Sequence, residues 1–134
     1  MNKCGFAAID FRKTHKSNHC SIMPIASCQV SKKCFERRSD TIDPIRLWAD
    51  ISGKSAEHMT ISISCTDVGF GKTYDVLAQL LLPDVWSQDD IASLQVSLAK
   101  ALASYFSISV NSVFVATTIV NSGNVVEDGE IQHW

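Results

Sequence analysis

The tetrapeptide Met23-Pro24-Ile25-Ala26 contains the residue with the clearest potential for acid–base chemistry, because it reads like the first residues of a protein. If the chain begins at Met23 and the methionine is removed, Pro24 carries a free secondary amine. A terminal amine has a pKa of about 7.7 to 8.0, and burial near another cation lowers this pKa further. Such an amine is a base at neutral pH. If Pro24 is internal, its nitrogen is an amide with no proton to exchange.

A neutral amine of this kind can remove a proton from a carbon next to a carbonyl group and return it elsewhere, provided that another group holds the developing enolate charge. The positions of such groups depend on the elements that carry them. The first 22 residues have four basic side chains and one acidic side chain, and they show no helical or strand period. They are either a flexible N-terminal extension or untranslated sequence joined by a misassigned start, and residues 23–134 form the folded domain.

Composition restricts the possible partners and the compartment. A chain of 134 residues with 46% hydrophobic content corresponds to about one domain. Its net charge of −2 gives no electrostatic basis for binding nucleic acid, and no apolar run approaches the roughly 18 residues of a membrane span. The five cysteines are odd in number and lack CxxC spacing, which favours reduced thiols. We therefore expect a cytoplasmic protein that binds neither nucleic acid nor membrane.

Two similar units follow Met23. The first begins with a strand over residues 24–30, and Asp43 and Pro44 then open a helix that ends at Gly53. The next strand is indicated by alternating apolar residues, namely Met59, Ile61 and Ile63.

The second unit begins with a strand over residues 74–83. Ser87 caps a helix with Asp90 at the capping-box position, and a strand follows over residues 112–120. One face of this helix is apolar: Ile91, Leu94, Leu98, Leu102 and Tyr105.

The duplicated β-α-β units predict an α/β (α+β) fold with a four-stranded sheet and two helices on one face. A terminal hairpin turning at Asp128-Gly129 follows the second unit. The other face of the sheet also needs to be buried, so we expect a partner subunit and hence a homo-oligomer.

Residues 23–134 resemble the tautomerase superfamily, in particular 4-oxalocrotonate tautomerase and the macrophage migration inhibitory factor (MIF) branch. The resemblance depends on the order and spacing of four pieces: Met23-Pro24, SGKSAEHMTISI at 52–63, GFG at 69–71 and SISVNSVFV at 107–115. It implies a homotrimer without a cofactor that interconverts the keto and enol forms of a small 2-oxo acid. Pro24 inherits the role of general base.

The resemblance also implies two substrate-binding residues. Lys54 stands where the MIF type has its pocket lysine, so it would bind the substrate carboxylate or the enolate; alternatively, it is a solvated lysine just beyond a helix C-terminus. Phe114 stands where that type has a pocket tyrosine, and would form an aromatic wall. Ala116 replaces an asparagine, and the dicarboxylate-binding arginines of oxalocrotonate tautomerases correspond to Cys34 and Ser62. The pocket is thus expected to be more apolar and to suit a small aryl or alkyl 2-oxo acid.

Other motifs are weaker. GFGKT at 69–73 ends like a phosphate-binding loop, but Thr66 replaces the required first glycine and a strand follows, which favours a hairpin loop. The histidines and cysteines near the N-terminus lack paired zinc-ligand spacing, so we expect no metal; they are Cys4, His15, His19 and Cys20. Cys28 and Cys65 are predicted to be core thiols, and the tryptophans Trp48 and Trp134 to be packing groups.

Two functions remain open. In the first, the protein is a trimeric tautomerase-like enzyme with a free amine on Pro24 and Lys54 as its electrostatic partner. In the second, Pro24 is internal and the fold serves binding or assembly as a non-catalytic homo-oligomer, because a fold alone does not confer activity.

Overall fold

The computed structural model describes residues 23–134. The first half contains β1 (Ile25–Ser31), α1 (Lys32–Phe35), α2 (Pro44–Ser52), a 3₁₀ turn (Ala56–His58) and β2 (Thr60–Thr66). The second half contains β3 (Val76–Pro83), α3 (Gln88–Phe106), a 3₁₀ turn (Val110–Ser112), β4 (Val113–Val120) and the short strands β5 (Val125–Glu127) and β6 (Glu130–Gln132). The cysteines and histidines considered for zinc before Met23 lie outside the described residues, and the domain boundary at Met23 stays a prediction.

The four long strands form one sheet in the order β2-β1-β3-β4. Within each half the two strands are parallel, and the halves join through the antiparallel pair of β1 and β3. The prediction of two β-α-β units that build a four-stranded sheet is therefore confirmed. Strands β5 and β6 form a separate antiparallel hairpin.

The connection that contains the GFG segment is not a hairpin loop, so that prediction was wrong. Strands β2 and β3 are separated in the sheet by β1, and the chain over residues 67–75 has to cross the end of β1. Each parallel pair of strands lies within one unit. Strands β2 and β3 follow each other in the chain but belong to different units, so they are not neighbours in the sheet. The crossing exposes apolar side chains, and Phe70 is 88% exposed.

The predicted helix ends are confirmed by their capping contacts. The Asp43 carboxylate accepts a hydrogen bond from the Ile45 N–H at 3.0 Å, and Gly53 ends α2 with a φ of 75°. Ser87 Oγ accepts from the Asp90 N–H at 3.1 Å at the start of α3. The single-turn helix α1 was not predicted, because it lies in a polar segment without a helical apolar stripe.

Alternating residues of the sheet face the two long helices and form the core. Trp48 of α2 is fully buried there, and its Nε1–H donates to the Leu94 carbonyl oxygen at 3.1 Å. The other large buried side chains include Val30, Val76, Leu80, Leu82, Leu98, Leu102 and Phe106. Cys28 is a core thiol as predicted, whereas Cys65 is exposed because it lies near the end of the edge strand β2.

The second face of the sheet has no cover within the described chain. Leu77, Leu81 and Phe114 lie on this face and are each about 40% exposed. Leu81 pairs with Ile25 of β1, and the rest of this face on β1 and β2 is mostly polar and includes Ser27, Gln29, Ser62 and Ser64. We call this surface the open face. Its burial by a second copy stays a prediction.

The terminal hairpin turns at Asp128 and Gly129 as predicted. Both residues have positive φ values, 56° and 78°, which the tight turn of a two-residue hairpin requires. After the hairpin, the Trp134 backbone N–H donates to Ser122 Oγ at 2.9 Å, and the indole Nε1–H donates to Asp84 Oδ1 at 2.5 Å. Trp134 therefore ties the end of the chain to the residue that follows β3.

Candidate functional site

Pro24 is buried directly before β1. Its carbonyl oxygen accepts a hydrogen bond from the Thr60 N–H at 3.0 Å, which fixes the start of β1 beside the start of β2. In the 134-residue chain, the Pro24 nitrogen is part of the peptide bond with Met23 and is not a base. Pro24 thus lies at the sheet end where β1 and β2 begin and where β3 and β4 finish.

Lys54 follows the C-terminal cap of α2 and forms an ion pair with the first turn of α3. Its Nζ lies 2.5 Å from Asp90 Oδ1, and the two side chains are 25% and 36% exposed. The same Nζ is 5.2 Å from the centre of the Trp86 ring, within the range of a cation–π contact. Lys54 is therefore not a freely solvated lysine in this structure.

The electrostatics of Asp90 follow from these contacts. Hydrogen bonding to Lys54, and secondarily to Ser87, holds the pKa of the Asp90 carboxyl below its usual value, although partial desolvation opposes the shift. Asp90 is consequently ionised at neutral pH. The positive charge of Lys54 is balanced within the protomer.

The chain path brings the Lys54 cluster, meaning Lys54, Trp86 and Asp90, to the same end of the molecule as Pro24. Lys54 precedes β2, whose first residue pairs with the start of β1, and Trp86 and Asp90 follow the end of β3. This end of the domain therefore contains the candidate base, a cation and an aromatic ring. Such groups suit enolate chemistry once Pro24 carries a free amine.

Phe114 is placed elsewhere. It lies at the start of β4 on the open face, where its ring centre is 5.2 Å from that of Tyr74. Lys72 Nζ lies 5.4 Å from the Tyr74 ring, and Ala116 continues the same face. The structure therefore brings Pro24 and Lys54 to one end of the protomer and leaves Phe114 at the other.

The two positions that correspond to the arginines of oxalocrotonate tautomerases have different surroundings. Cys34 is buried in α1 and borders a cavity of about 80 Å³ together with Lys33, Arg37, Asp75 and Ile108. Burial, reinforced by the nearby Asp75 carboxylate, raises the pKa of the Cys34 thiol to about 11. Ser62 is exposed on the open face. Neither position supplies a cation to the end that contains Pro24.

Within residues 23–134, no three potential metal-ligating side chains come together. Burial raises the pKa of the Cys28 thiol to about 11, which leaves it protonated and a poor nucleophile at neutral pH.

None of the helices within residues 23–134 has both the length and the apolar character needed to cross a membrane.

Comparison of whole structures identifies the fold. No protein-family model and no curated protein sequence matches the chain. Its structure, however, superimposes on a fused 4-OT described as an asymmetric trimer, with a TM-score of 0.62 and 15% identity over 80% of this chain and 94% of the other. This chain has the tautomerase fold.

Two further solved structures share the tautomerase fold. A member of the cis-3-chloroacrylic acid dehalogenase family gives a TM-score of 0.55 at 15% identity over 79% of this chain and 82% of the other. The macrophage migration inhibitory factor from Trichinella spiralis gives 0.56 at 17% identity over 78% and 96%. The resemblance inferred from short motifs is thus confirmed at the level of the fold.

Sequence reasoning missed two members of the Lys54 cluster. Asp90 was recognised only as a helix-capping residue, and Trp86 was not singled out. Their contacts with Lys54 depend on how the tautomerase fold places the loop after α2 against the start of α3. A carboxylate in the first turn of α3 and a lysine just after α2 were visible signals, but nothing local connects residues this far apart in the chain.

Proposed function

We propose that the protein, in a form that begins with Pro24, is a tautomerase-like isomerase that acts on a small 2-oxo acid. One observation carries the proposal: within a tautomerase fold, a proline directly before β1 lies at the same end of the domain as Lys54. The fold shared with a 4-OT and a MIF supports this assignment. We also propose a cytoplasmic location and no requirement for a cofactor.

In this mechanism, Pro24 acts as the general base. Its neutral amine takes a proton from the carbon next to the keto group, the C–H electron pair forms the C=C bond, and the carbonyl electrons move to oxygen. Lys54 stabilises the resulting negative charge. Transfer of the proton from the Pro24 ammonium to that oxygen gives the enol and regenerates the neutral amine, and the reverse sequence returns the proton to carbon and regenerates the ketone.

The enzyme is proposed to work as a homo-oligomer, most simply a trimer. Apolar side chains on the open face remain about 40% exposed in the protomer, and a second copy would remove them from water. A 4-OT with the same fold is described as a trimer. Phe114 lies on that face, so we propose that it lines a substrate pocket of an adjacent copy.

The substrate is proposed to carry one carboxylate and an aryl or alkyl group. Cys34 and Ser62 supply no cation where oxalocrotonate tautomerases have arginines, which disfavours a dicarboxylate. Phe114 and Ala116 provide apolar surface. An aryl 2-oxo acid is therefore the first substrate to test.

The role of Lys54 can be tested in protein that begins at Pro24. Replacing Lys54 by Ala is expected to reduce turnover of an aryl 2-oxo acid at least tenfold while the circular dichroism spectrum remains native. Lys100 is exposed on α3 and provides the control, because Lys100→Ala should leave turnover unchanged. Equal turnover with and without Lys54 would remove this residue from the mechanism.

A non-catalytic homo-oligomer is the second candidate. It is favoured by the ion pair of Lys54 with Asp90, which accounts for the lysine without a substrate. In this case Pro24 is internal, and the fold serves assembly or binding. The mass of protein produced from the native gene separates the two candidate functions. A mass that corresponds to a chain beginning at Pro24 supports the enzyme, whereas a mass that includes residues 1–22 supports the alternative.

A further inference from the structure

We propose that Asp90 is a positioning residue that competes with the substrate anion for Lys54. This competition restricts the site to substrates with a single negative charge. This inference rests on the proposed function, because it concerns the cation assigned to the substrate carboxylate or enolate. The contact between Lys54 and Asp90 joins the loop after α2 to the first turn of α3.

Lys54 is held in place by contacts with three residues of its own chain. Asp90 Oδ1 lies 2.5 Å from Nζ, and the Trp86 ring lies 5.2 Å from the same atom. The Lys54 backbone N–H also donates to Ser52 Oγ at 3.2 Å, which fixes the base of the side chain. The ammonium group is thus directed toward Asp90, although a quarter of the Lys54 side chain remains open to solvent.

An ammonium group has three N–H donors, so the bond to Asp90 leaves donors for a second acceptor. An approaching carboxylate is attracted by Lys54 but repelled by Asp90, and the near cancellation of the two charges weakens its binding. A dianionic ligand experiences this repulsion at both of its charges. Removal of the Asp90 charge should therefore increase the affinity for anions, and only while Lys54 is present.

Asp89 provides a matched control for the charge of Asp90. It also lies in the first turn of α3, so its carboxylate has a similar interaction with the helix dipole. Asp89 is exposed, and among residues 23–134 only Asp90 forms an ion pair with Lys54. A general effect of negative charge at the helix start should appear in both variants, whereas competition for Lys54 should appear only at Asp90.

The experiment measures the affinity for benzoate, a monoanionic aryl carboxylate that cannot be turned over. Isothermal titration calorimetry would use the full chain and the form that begins at Pro24. Asp90→Asn should bind benzoate at least fivefold more tightly than the parent protein, and Asp89→Asn should remain within twofold of it. In a Lys54→Gln background, Asp90→Asn should produce no increase.

Four results would overturn the inference. The first three are unchanged affinity in Asp90→Asn, an equal increase in Asp89→Asn, and an increase that persists without Lys54. Absence of benzoate binding in both the parent and Asp90→Asn would also overturn it. Loss of the fold is excluded by comparing the thermal transitions of all variants.

The proposed function and this inference fail in different ways. If no form turns over 2-oxo acids, the isomerase proposal fails, but the benzoate affinities still decide whether Asp90 competes for Lys54. If turnover occurs, Asp90→Asn should lower KM for an aryl 2-oxo acid by a larger factor than it changes kcat. A purely structural role of Asp90 would produce no such decrease in KM.

Discussion

Pro24 and Phe114 lie at opposite ends of the four-stranded sheet. Phe114 pairs across β4 and β3 with Leu77, which in turn faces Gln29 on β1. From Pro24 to Gln29 the strand covers roughly 16 Å, and β4 is two strands away from β1, about another 10 Å. One protomer cannot place both side chains on the same small substrate. A site that contains both residues requires two copies of the chain.

Self-association should therefore depend on the open face. Leu77 lies on the inner strand β3 next to Phe114 and is 40% exposed. Leu77→Asp introduces a charge that would have to be buried between copies, so it should convert the oligomer to a monomer in analytical ultracentrifugation. Val96 is 54% exposed on the helix layer, and Val96→Asp should leave the oligomer intact. A wild-type protein that sediments as a monomer would contradict the proposed assembly.

The two tryptophans packed near α3 should respond differently to replacement by Phe. Trp48 Nε1–H donates to the Leu94 carbonyl oxygen, whereas Trp86 Nε1 is buried and has no acceptor among residues 23–134. Trp48→Phe removes the indole donor and makes a cavity, while Ser97 Oγ still donates to the same carbonyl at 3.2 Å, so it should lower the free energy of unfolding by about 1–2 kcal/mol.

Trp86→Phe removes a donor that has no acceptor in the part of the chain that the structure describes, and we expect a much smaller effect on stability. Urea unfolding followed by circular dichroism provides both free energies. A larger loss in Trp86→Phe than in Trp48→Phe would contradict the hydrogen-bond assignment, and would indicate that Trp86 Nε1 has an acceptor supplied by another copy.

Alkaline pH should destabilise the fold through its buried thiols. Burial raises the pKa of Cys28 from 9.0 to about 11, so above pH 9 the unfolded chain loses this proton before the folded chain does. The resulting stability is complete below pH 9 and is lost as the pH rises toward 11. Cys28→Ala should reduce this decline in unfolding free energy, while Cys65→Ala should not, because Cys65 is exposed. Equal declines in all three proteins would contradict the assignment.

Local signals in the sequence predicted the elements well. Asp43 and Pro44 marked the start of α2, Ser87 marked the start of α3, and Asp128-Gly129 marked the terminal turn, because each acts within a few residues of itself. Alternating apolar residues likewise identified β2. These signals depend only on residues close in the chain, so the tertiary structure does not change the elements that they predict.

The remaining features depend on strand order and could not be derived locally. Because β1 lies between β2 and β3 in the sheet, the GFG segment is a crossover connection. The same strand order makes β2 an edge strand, on which Cys65 is exposed. The ion pair of Lys54 with Asp90 joins the two repeated units, so neither unit alone predicts it. The separation of Pro24 from Phe114 follows from the same strand order.

The most direct test of Pro24 as the general base compares two forms of the protein in the enol–keto conversion of an aryl 2-oxo acid. One form is the full 134-residue chain, and the other begins at Met23 and is confirmed by mass to start with Pro24 after methionine removal. Turnover is expected only in the shorter form, because only there is the Pro24 nitrogen a free amine. Equal turnover in both forms, or none in either form although both are folded, would contradict Pro24 as the base.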